Sequence, residues 1–140
     1  MLTEHTKAVR DIVTSIPILT NKVHDALRTS EGDTLVQENY VVLTPTIPAR
    51  RRERWNIRQQ AASAARYRYD ARIVAVDPDG CNLLADAVQL TIGRTPIVEG
   101  RTCEPLALAE AVEEGGMQFD REAGLYFLDL TLEFVSRPKN

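Results

Sequence analysis

The chain has 140 residues, which is the length of one domain with a single hydrophobic core. Hydrophobic residues make up 44% and charged residues 26% of the chain, as is typical of a globular protein and not of a disordered one. No apolar run approaches the ~20 residues that a membrane helix needs, and the opening sequence MLTEHTKAVRDIV lacks the apolar core of a signal peptide. We therefore predict a single domain over residues 1–140 and no membrane partner.

The formal net charge of −3 conceals an uneven distribution along the chain. Residues 50–72 contain eight arginines against Glu53 and Asp70, a net charge of +6, so the other residues together carry −9. Acidic residues are concentrated over residues 99–122, which carry a net charge of −5. This division predicts that a positive surface of the protein meets a negative one, either on a partner or on another copy of the chain.

The first predicted element is an amphipathic helix over residues 3–16, with Thr3 as its N-cap and Pro17 directly after its end. Its apolar side consists of Val9, Ile12, Val13 and Ile16. Residues 20–28 fit a short strand and a helical turn equally well, and residues 29–33 predict a turn. Residues 40–43 then predict a short strand, and Pro45 and Pro48 place it at an edge or an end of the sheet.

Residues 49–66 lack the apolar periodicity of a core element and predict an extended basic loop or arm between two strands. The strand that follows alternates strictly. One face carries Tyr67, Tyr69, Ala71, Ile73 and Ala75, and the other carries Arg66, Arg68, Asp70 and Arg72. We expect the arginine-bearing face to contact solvent or a partner.

A second helix is predicted to begin with Asp77 as its N-cap and Pro78 as its first helical residue, and Gly93 marks its stop. Its predicted buried stripe is Cys81, Leu84, Ala85, Val88 and Ile92. Short extended stretches follow over residues 97–113, with a turn at Glu99 and Gly100 and a hairpin break at Gly115 and Gly116.

Residues 125–135 predict the strongest strand. Its inward residues are Leu128, Leu130, Leu132 and Phe134, and its outward residues are Asp129, Thr131 and Glu133. Two helices and about five strands, with a long basic β-hairpin loop, predict an α+β fold in which the helices pack on one face of a mostly antiparallel sheet.

The sequence offers few groups for catalysis or metal binding. His5 and His24 have no serine, cysteine or carboxylate at the spacing of a catalytic or metal motif. Cys81 and Cys103 could pair, although two reduced thiols of an intracellular protein are the better interpretation. The DPDG sequence at 77–80 lacks the closing carboxylate of a calcium loop and is typical of a helix start. We therefore expect no enzymatic activity, no metal and no cofactor.

The arginine-rich segment over residues 50–72 is the feature of the sequence that most strongly predicts a binding partner. It contains Trp55, the only tryptophan, together with Ile57, and tryptophan and arginine are enriched at binding hot spots. We predict an interface made of Arg50, Arg51, Arg52, Arg54, Trp55, Ile57, Arg58, Arg66 and Arg68. The predicted acidic counter-surface is Glu104, Glu110, Glu113 and Glu114.

Two other interpretations of this segment remain open. A solvated hairpin tip explains its composition equally well, because surface loops tolerate charge. A nucleic-acid-binding module is the third interpretation, although the rest of the chain is acidic and dedicated nucleic-acid binders are usually basic overall. Head-to-tail self-association fits the divided charge better, and such a contact closes into a ring where the rotation permits.

The order of the elements and several short fragments resemble the tail-terminator family of long-tailed, non-contractile (siphovirus-type) bacteriophages. The fragments are YVVLTP at 40–45, RYRYDARIVAVD at 66–77, ADAVQLTI at 85–92, PIVEGRTCEPL at 96–106 and YFLDLTLEFVSRP at 126–138. The resemblance covers roughly residues 1–138. It departs from the family at the basic loop over 49–66, where many relatives are shorter.

The resemblance implies a structural virion protein at the head–tail neck, made in the host bacterial cytoplasm. In that family the subunits form a ring, usually of six copies, that caps the tail tube and ends its polymerisation. The ring presents a surface to the head-completion (stopper) protein, and genomic DNA passes through its lumen without sequence-specific binding. A head-closure stopper protein of the neck is the alternative assignment.

Overall fold

A computed structural model describes residues 2–29, 34–46, 64–109 and 116–139 of the chain. The order of elements in these residues is α1 (Leu2–Thr14), a 3₁₀ turn (Pro17–Leu19), β1 (Val23–His24), β2 (Tyr40–Thr46), β3 (Ala65–Ala75), α2 (Pro78–Gln89), β4 (Arg101–Cys103), β5 (Ala107–Leu108), β6 (Gln118–Asp120) and β7 (Leu125–Pro138). This is the predicted α+β fold. No helix of the described ranges is long and apolar enough to cross a membrane.

The seven described strands form one sheet in the order β1-β2-β3-β7-β4, with β5 and β6 also paired to β7. Only the two-residue β1 runs parallel to its neighbour, and every other pairing is antiparallel. The eleven residues of β3 pair with β7 from Ala65–Ser136 to Ala75–Tyr126. The two longest strands therefore form the centre of the sheet.

Both helices cover the same face of the sheet. The odd-numbered residues of β3 from Tyr67 to Ala75 are buried in one core cluster with Val9 and Val13 of α1 and with Leu84 and Val88 of α2. Leu132 and Phe134 of β7 belong to that cluster, and Leu128 and Leu130 pack against it. The alternation predicted for β3 and β7 is confirmed.

The start of α2 is built as its sequence predicts. Asp77 has extended backbone, and its Oδ1 accepts a hydrogen bond of 2.6 Å from the Gly80 backbone N–H, with Pro78 in the first turn. The buried stripe is shorter than predicted, because the helix ends at Gln89 and Ile92 is 37% exposed. Gly93, with φ of 90°, lies beyond the helix end and donates its N–H to the Leu106 carbonyl at 2.8 Å.

Several predicted boundaries are wrong. Thr3 lies inside α1 and is not its N-cap. The strand predicted over residues 40–43 continues through Pro45 to Thr46. It is an edge only at that end, since Val41 and Val42 are paired on both sides. The last strand continues beyond residue 135 to Pro138.

The turns also differ in part from the prediction. Residues 20–28 contain the short strand β1, and the chain turns at Glu99 and Gly100 as predicted. The hairpin between β6 and β7 turns at residues 121–124, where the Gly124 N–H donates to the Asp120 carbonyl at 2.8 Å. Gly115, half of the predicted break, lies outside the described residues.

Candidate functional site

The face of the sheet away from the helices carries the main concentration of charge in the described residues. Side chains alternate along a strand, so every second residue of β2, β3 and β7 points to this face. It comprises Thr44 and Thr46 of β2, Arg66, Arg68, Asp70 and Arg72 of β3, and Asp129, Thr131 and Glu133 of β7. We call these nine residues the charged sheet face.

The arginines of this face pair with acids of the neighbouring strand. Arg72 lies opposite Asp129 and contacts it at two points, with Nε 2.8 Å from Oδ1 and Nη2 3.0 Å from Oδ2. Arg68 lies opposite Glu133 and donates from Nε to Oε2 at 3.0 Å. Arg66 Nη1 lies 3.7 Å from Oε1 of the same Glu133. The strand register therefore sets every arginine of the face beside a carboxylate.

Asp70 links all three strands at the centre of the face. Its Oδ2 accepts a hydrogen bond of 3.1 Å from the Thr46 hydroxyl, and its Oδ1 accepts one of 3.1 Å from the Thr131 hydroxyl. Thr131 is its direct register partner on β7. Asp70 is thus held by two neutral donors and lies between the two arginine pairs.

The charges of this face compensate one another. The hydrogen bonds that Arg72 donates to the Asp129 carboxylate raise the pKa of Arg72, so the guanidinium stays protonated. Three arginines stand against three carboxylates, which gives the face a net charge of zero. Such a surface suits a partner with its own pattern of both charges and is poorly suited to the uniform negative charge of a nucleic-acid backbone.

Only three residues of the predicted interface and counter-surface lie in the described part of the chain. Arg66 and Arg68 are on the charged sheet face and reach the same Glu133. Glu104 pairs with Arg137, with Oε2 2.7 Å from Nη2, and is therefore engaged within its own chain. The others lie outside the described residues, namely Arg50, Arg51, Arg52, Arg54, Trp55, Ile57, Arg58, Glu110, Glu113 and Glu114.

Asp129 and Glu133 lie on the predicted outward face of β7. They belong to the site as partners of the arginines, although they are not among the predicted interface residues. The sequence indicates them only through charged residues at every second position of both strands. Which acid lies opposite which arginine depends on the register between the two strands, and the sequence of one strand does not contain that register.

A second polar group lies inside the protein, below α1. His5, Arg101 and Ser136 are 0%, 4% and 0% exposed. The Ser136 Oγ accepts from Arg101 Nε at 2.9 Å and lies 2.8 Å from His5 Nε2, while Arg101 Nη2 donates to the Ser136 carbonyl at 2.9 Å. The His5 ring stacks on Tyr67, with centroids 3.9 Å apart. This burial makes the group a polar part of the core.

Other chemical groups are dispersed in the described residues. No three histidine, cysteine, aspartate or glutamate side chains of the described ranges come close enough to hold a metal ion. Cys81 is buried in the core, which raises the pKa of its thiol, and Cys103 is half-buried. The charged sheet face remains the best candidate for a functional surface.

No protein-family model matches the sequence of this chain, and no curated protein matches it. Among solved structures, it is similar to a chain of the structure described as "Virion of native gene transfer agent (GTA) particle". The match covers 96% of this chain and 96% of that chain, with a TM-score of 0.68 and 13% sequence identity. The two proteins therefore share a fold over almost their whole lengths.

Proposed function

We propose that the protein is a structural subunit of a phage-like virion and acts as a tail terminator. In this role it forms a ring, of six copies by the family resemblance, that caps the tail tube and ends its polymerisation. The observation that carries the proposal is the fold shared with a virion chain over 96% of both proteins. A role of this kind requires no catalytic group, metal or cofactor.

The resemblance in element order supports the same role independently. The fragments YVVLTP and RYRYDARIVAVD form β2 and β3, and YFLDLTLEFVSRP forms β7, so they build the three central strands of the sheet. These strands also carry the charged sheet face. Its fixed pattern of opposite charges would set the alignment of the two surfaces in a contact with another protein, while apolar contacts would supply most of the affinity.

A DNA-binding module is the weaker candidate. Three of the eight arginines over 50–72 lie on the charged sheet face, and each of them has a carboxylate within 4 Å. Release of these arginines to phosphates would leave Asp129 and Glu133 beside the DNA backbone. DNA passing through a ring without sequence-specific binding is compatible with this arrangement.

The first experiment is native mass spectrometry of the purified protein, combined with negative-stain electron microscopy. Rings with a central hole, and a shorter tube when the protein is added to polymerising tail tube protein, are the expected results. Monomers only, both alone and with the tube protein, would refute the proposal.

A second experiment separates the tail terminator from the head-closure stopper. Gold-labelled antibody against the protein should mark tubes assembled without heads if it is the terminator. Labelling restricted to filled heads that lack tails would assign it to the stopper instead. A DNA titration at several salt concentrations completes the set, since a phosphate-binding module would lose affinity with a slope near ~0.9 per contacted phosphate.

A further inference from the structure

The helix α2 carries a second side-chain stripe, opposite its buried one, that faces solvent. Asp79, Leu83 and Asp86 of α2 and its C-cap residue Leu90, which keeps helical backbone angles, are spaced by four, three and four residues, so they form one line along the helix. All four are exposed, and Leu83 and Leu90 are 55% and 64% exposed. We call these four residues the outer ridge of α2.

The outer ridge has the composition of a contact and not of a solvated helix face. Two leucines seven residues apart stand about 10 Å from each other along the helix, because each residue rises ~1.5 Å. Carboxylates alternate with them, and no ion pair of Asp79 or Asp86 is found among the described residues. A partner that covers this ridge must bring apolar groups and positive charge together.

The charge of the ridge argues against its packing on the same ridge of a second copy. Such a contact would place Asp79 and Asp86 of one copy against those of the other, and like charges in a contact disfavour it. A basic segment with large apolar side chains is the complementary occupant. This chain contains one, because residues 50–58 hold five arginines, one glutamate, Trp55 and Ile57.

The positions of the two strands that flank that segment favour a neighbouring copy as its source. Residues 50–58 belong to the connection that leaves β2 at Thr46 and enters β3 at Ala65. The helix α2 begins three residues after the other end of β3, at Pro78. The 11 residues of β3 extend roughly 36 Å, so the start of α2 lies most of the length of the sheet away from Thr46 and Ala65, the described residues that flank the connection.

We propose that the outer ridge of α2 binds the segment 50–58 of a neighbouring copy. Leu83 and Leu90 contact Trp55 and Ile57, and the arginines pair with Asp79 and Asp86. The contact joins two different surfaces of neighbouring subunits, head to tail, as a ring requires. It deepens the proposed function, on which it rests, and it adds the outer ridge to the predicted counter-surface of Glu104, Glu110, Glu113 and Glu114.

Charge reversal on each side tests the contact. The helix variant is Asp79→Arg with Asp86→Arg, and the segment variant replaces Arg50, Arg51, Arg52 and Arg54 with glutamate, which changes the net charge of residues 50–58 from +4 to −4. Each alone sets like charges against each other, so self-association should weaken about tenfold or more, with loss of the ring in native mass spectra. Circular dichroism should be unchanged, because both aspartates are exposed.

Mixing the two variants distinguishes a contact between copies from one within a chain. In the mixture each helix faces a segment of opposite charge only on the other variant, so oligomers of equal stoichiometry should return. A contact within one chain gives no such rescue. Leu83→Ser with Leu90→Ser should also abolish the ring, whereas Ile18→Ser, at a residue 44% exposed elsewhere, should not.

The outcomes separate the two proposals. If both charge variants still form the rings that the wild type forms, this contact is overturned and the tail-terminator role stands. Monomeric variants without rescue on mixing would also overturn it, as would a segment variant that keeps its rings and loses only DNA binding. A wild-type protein that never forms rings would overturn both.

Discussion

Arg72 and Asp129 face each other across β3 and β7 and meet at two points, at 2.8 and 3.0 Å. Two-point geometry is the strongest form of this ion pair, but 48% and 55% exposure of the two side chains limits its contribution. We expect Arg72→Gln to lower the free energy of unfolding by about 0.5–1 kcal/mol. Urea titration in low salt measures this, and high salt should reduce the difference.

A double-mutant cycle with Asp129→Asn provides the control for this pair. The coupling energy should be favourable and of the same size, because both variants remove the one interaction. A coupling of zero would mean that the pair contributes nothing to folding. Arg137→Gln, which breaks the one-point pair with Glu104, should cost less.

Tyr69 should make the fold sensitive to alkaline pH. Burial raises the pKa of its phenol from 10.0 to about 12, despite the hydrogen bond between its hydroxyl and that of Thr6 at 3.3 Å. The folded protein thus keeps the phenol neutral, and this stabilisation is intact below about pH 10 and disappears as the pH rises toward 12. It amounts to about 2–3 kcal/mol.

Urea titrations between about pH 10 and 12 test that dependence. Tyr69→Phe should flatten the fall in unfolding free energy over this interval, and Tyr126→Phe, at a partly exposed residue, should not. Equal slopes for the wild type and Tyr69→Phe would contradict the assignment.

Gly80→Ala should destabilise the protein, although alanine is the better helix former. A β-carbon at position 80 would overlap the Asn39 side-chain nitrogen and lie 2.9 Å from Asp77 Oδ1. Asn39 cannot move freely, because its Oδ1 accepts from the Val76 N–H at 2.9 Å. Instead of the ~1 kcal/mol gain expected for this exchange in an open helix, we expect a loss of about 1 kcal/mol.

Thermal unfolding of Gly80→Ala in the wild-type and Asn39→Ala backgrounds checks the cause. The loss should be smaller when Asn39 is shortened, since the overlap is then relieved. A stabilising effect in the wild-type background would show that the N-terminus of α2 adapts to the extra methyl group.

Ser136→Ala should destabilise the protein strongly, although it removes only one hydroxyl group. The hydroxyl is fully buried between Arg101 Nε and His5 Nε2, and its loss removes the partner that both groups share. We expect a decrease of about 2–3 kcal/mol in the free energy of unfolding. The control is Ser15→Ala at an exposed serine, which should stay within about 0.5 kcal/mol of the wild type in the same urea titration.

Replacement of Arg50, Arg51, Arg52 and Arg54 by serine should leave folding intact, since all four are charged side chains in a stretch without the apolar periodicity of a core element. Assembly into rings or docking to the tube should weaken. Native mass spectrometry reports the first effect and tube-length measurement the second. Unchanged assembly of a correctly folded variant would support the solvated loop instead.

The sequence predicts the two central strands well because apolar and polar residues alternate along them. When Tyr67, Tyr69 and Ile73 point into the core, Arg68 and Arg72 must point to the opposite face, so the alternation alone assigns both faces of β3. Asp77 and Pro78 likewise mark the start of α2 by local chemistry. These features depend on neighbours in the chain.

Features that depend on distant residues were not predictable. The pairing of Arg72 with Asp129 needs the register between strands 57 positions apart. The burial of His5 depends on Arg101 and Ser136, which reach it only when α1 packs on the sheet. Ile92 fits the helical period of α2, but the helix ends before it, and nothing in that period marks the end.

The strand β7 connects the whole sheet, since β3 pairs along one of its edges and β4, β5 and β6 share the other. It follows every one of these partners in the chain. During synthesis, β3 to β6 must therefore wait with unpaired edges until β7 emerges, and the sheet closes only then. Until then the unpaired edges and apolar faces of these strands are open to wrong contacts, so the last strand to be made is the one that ends this exposure.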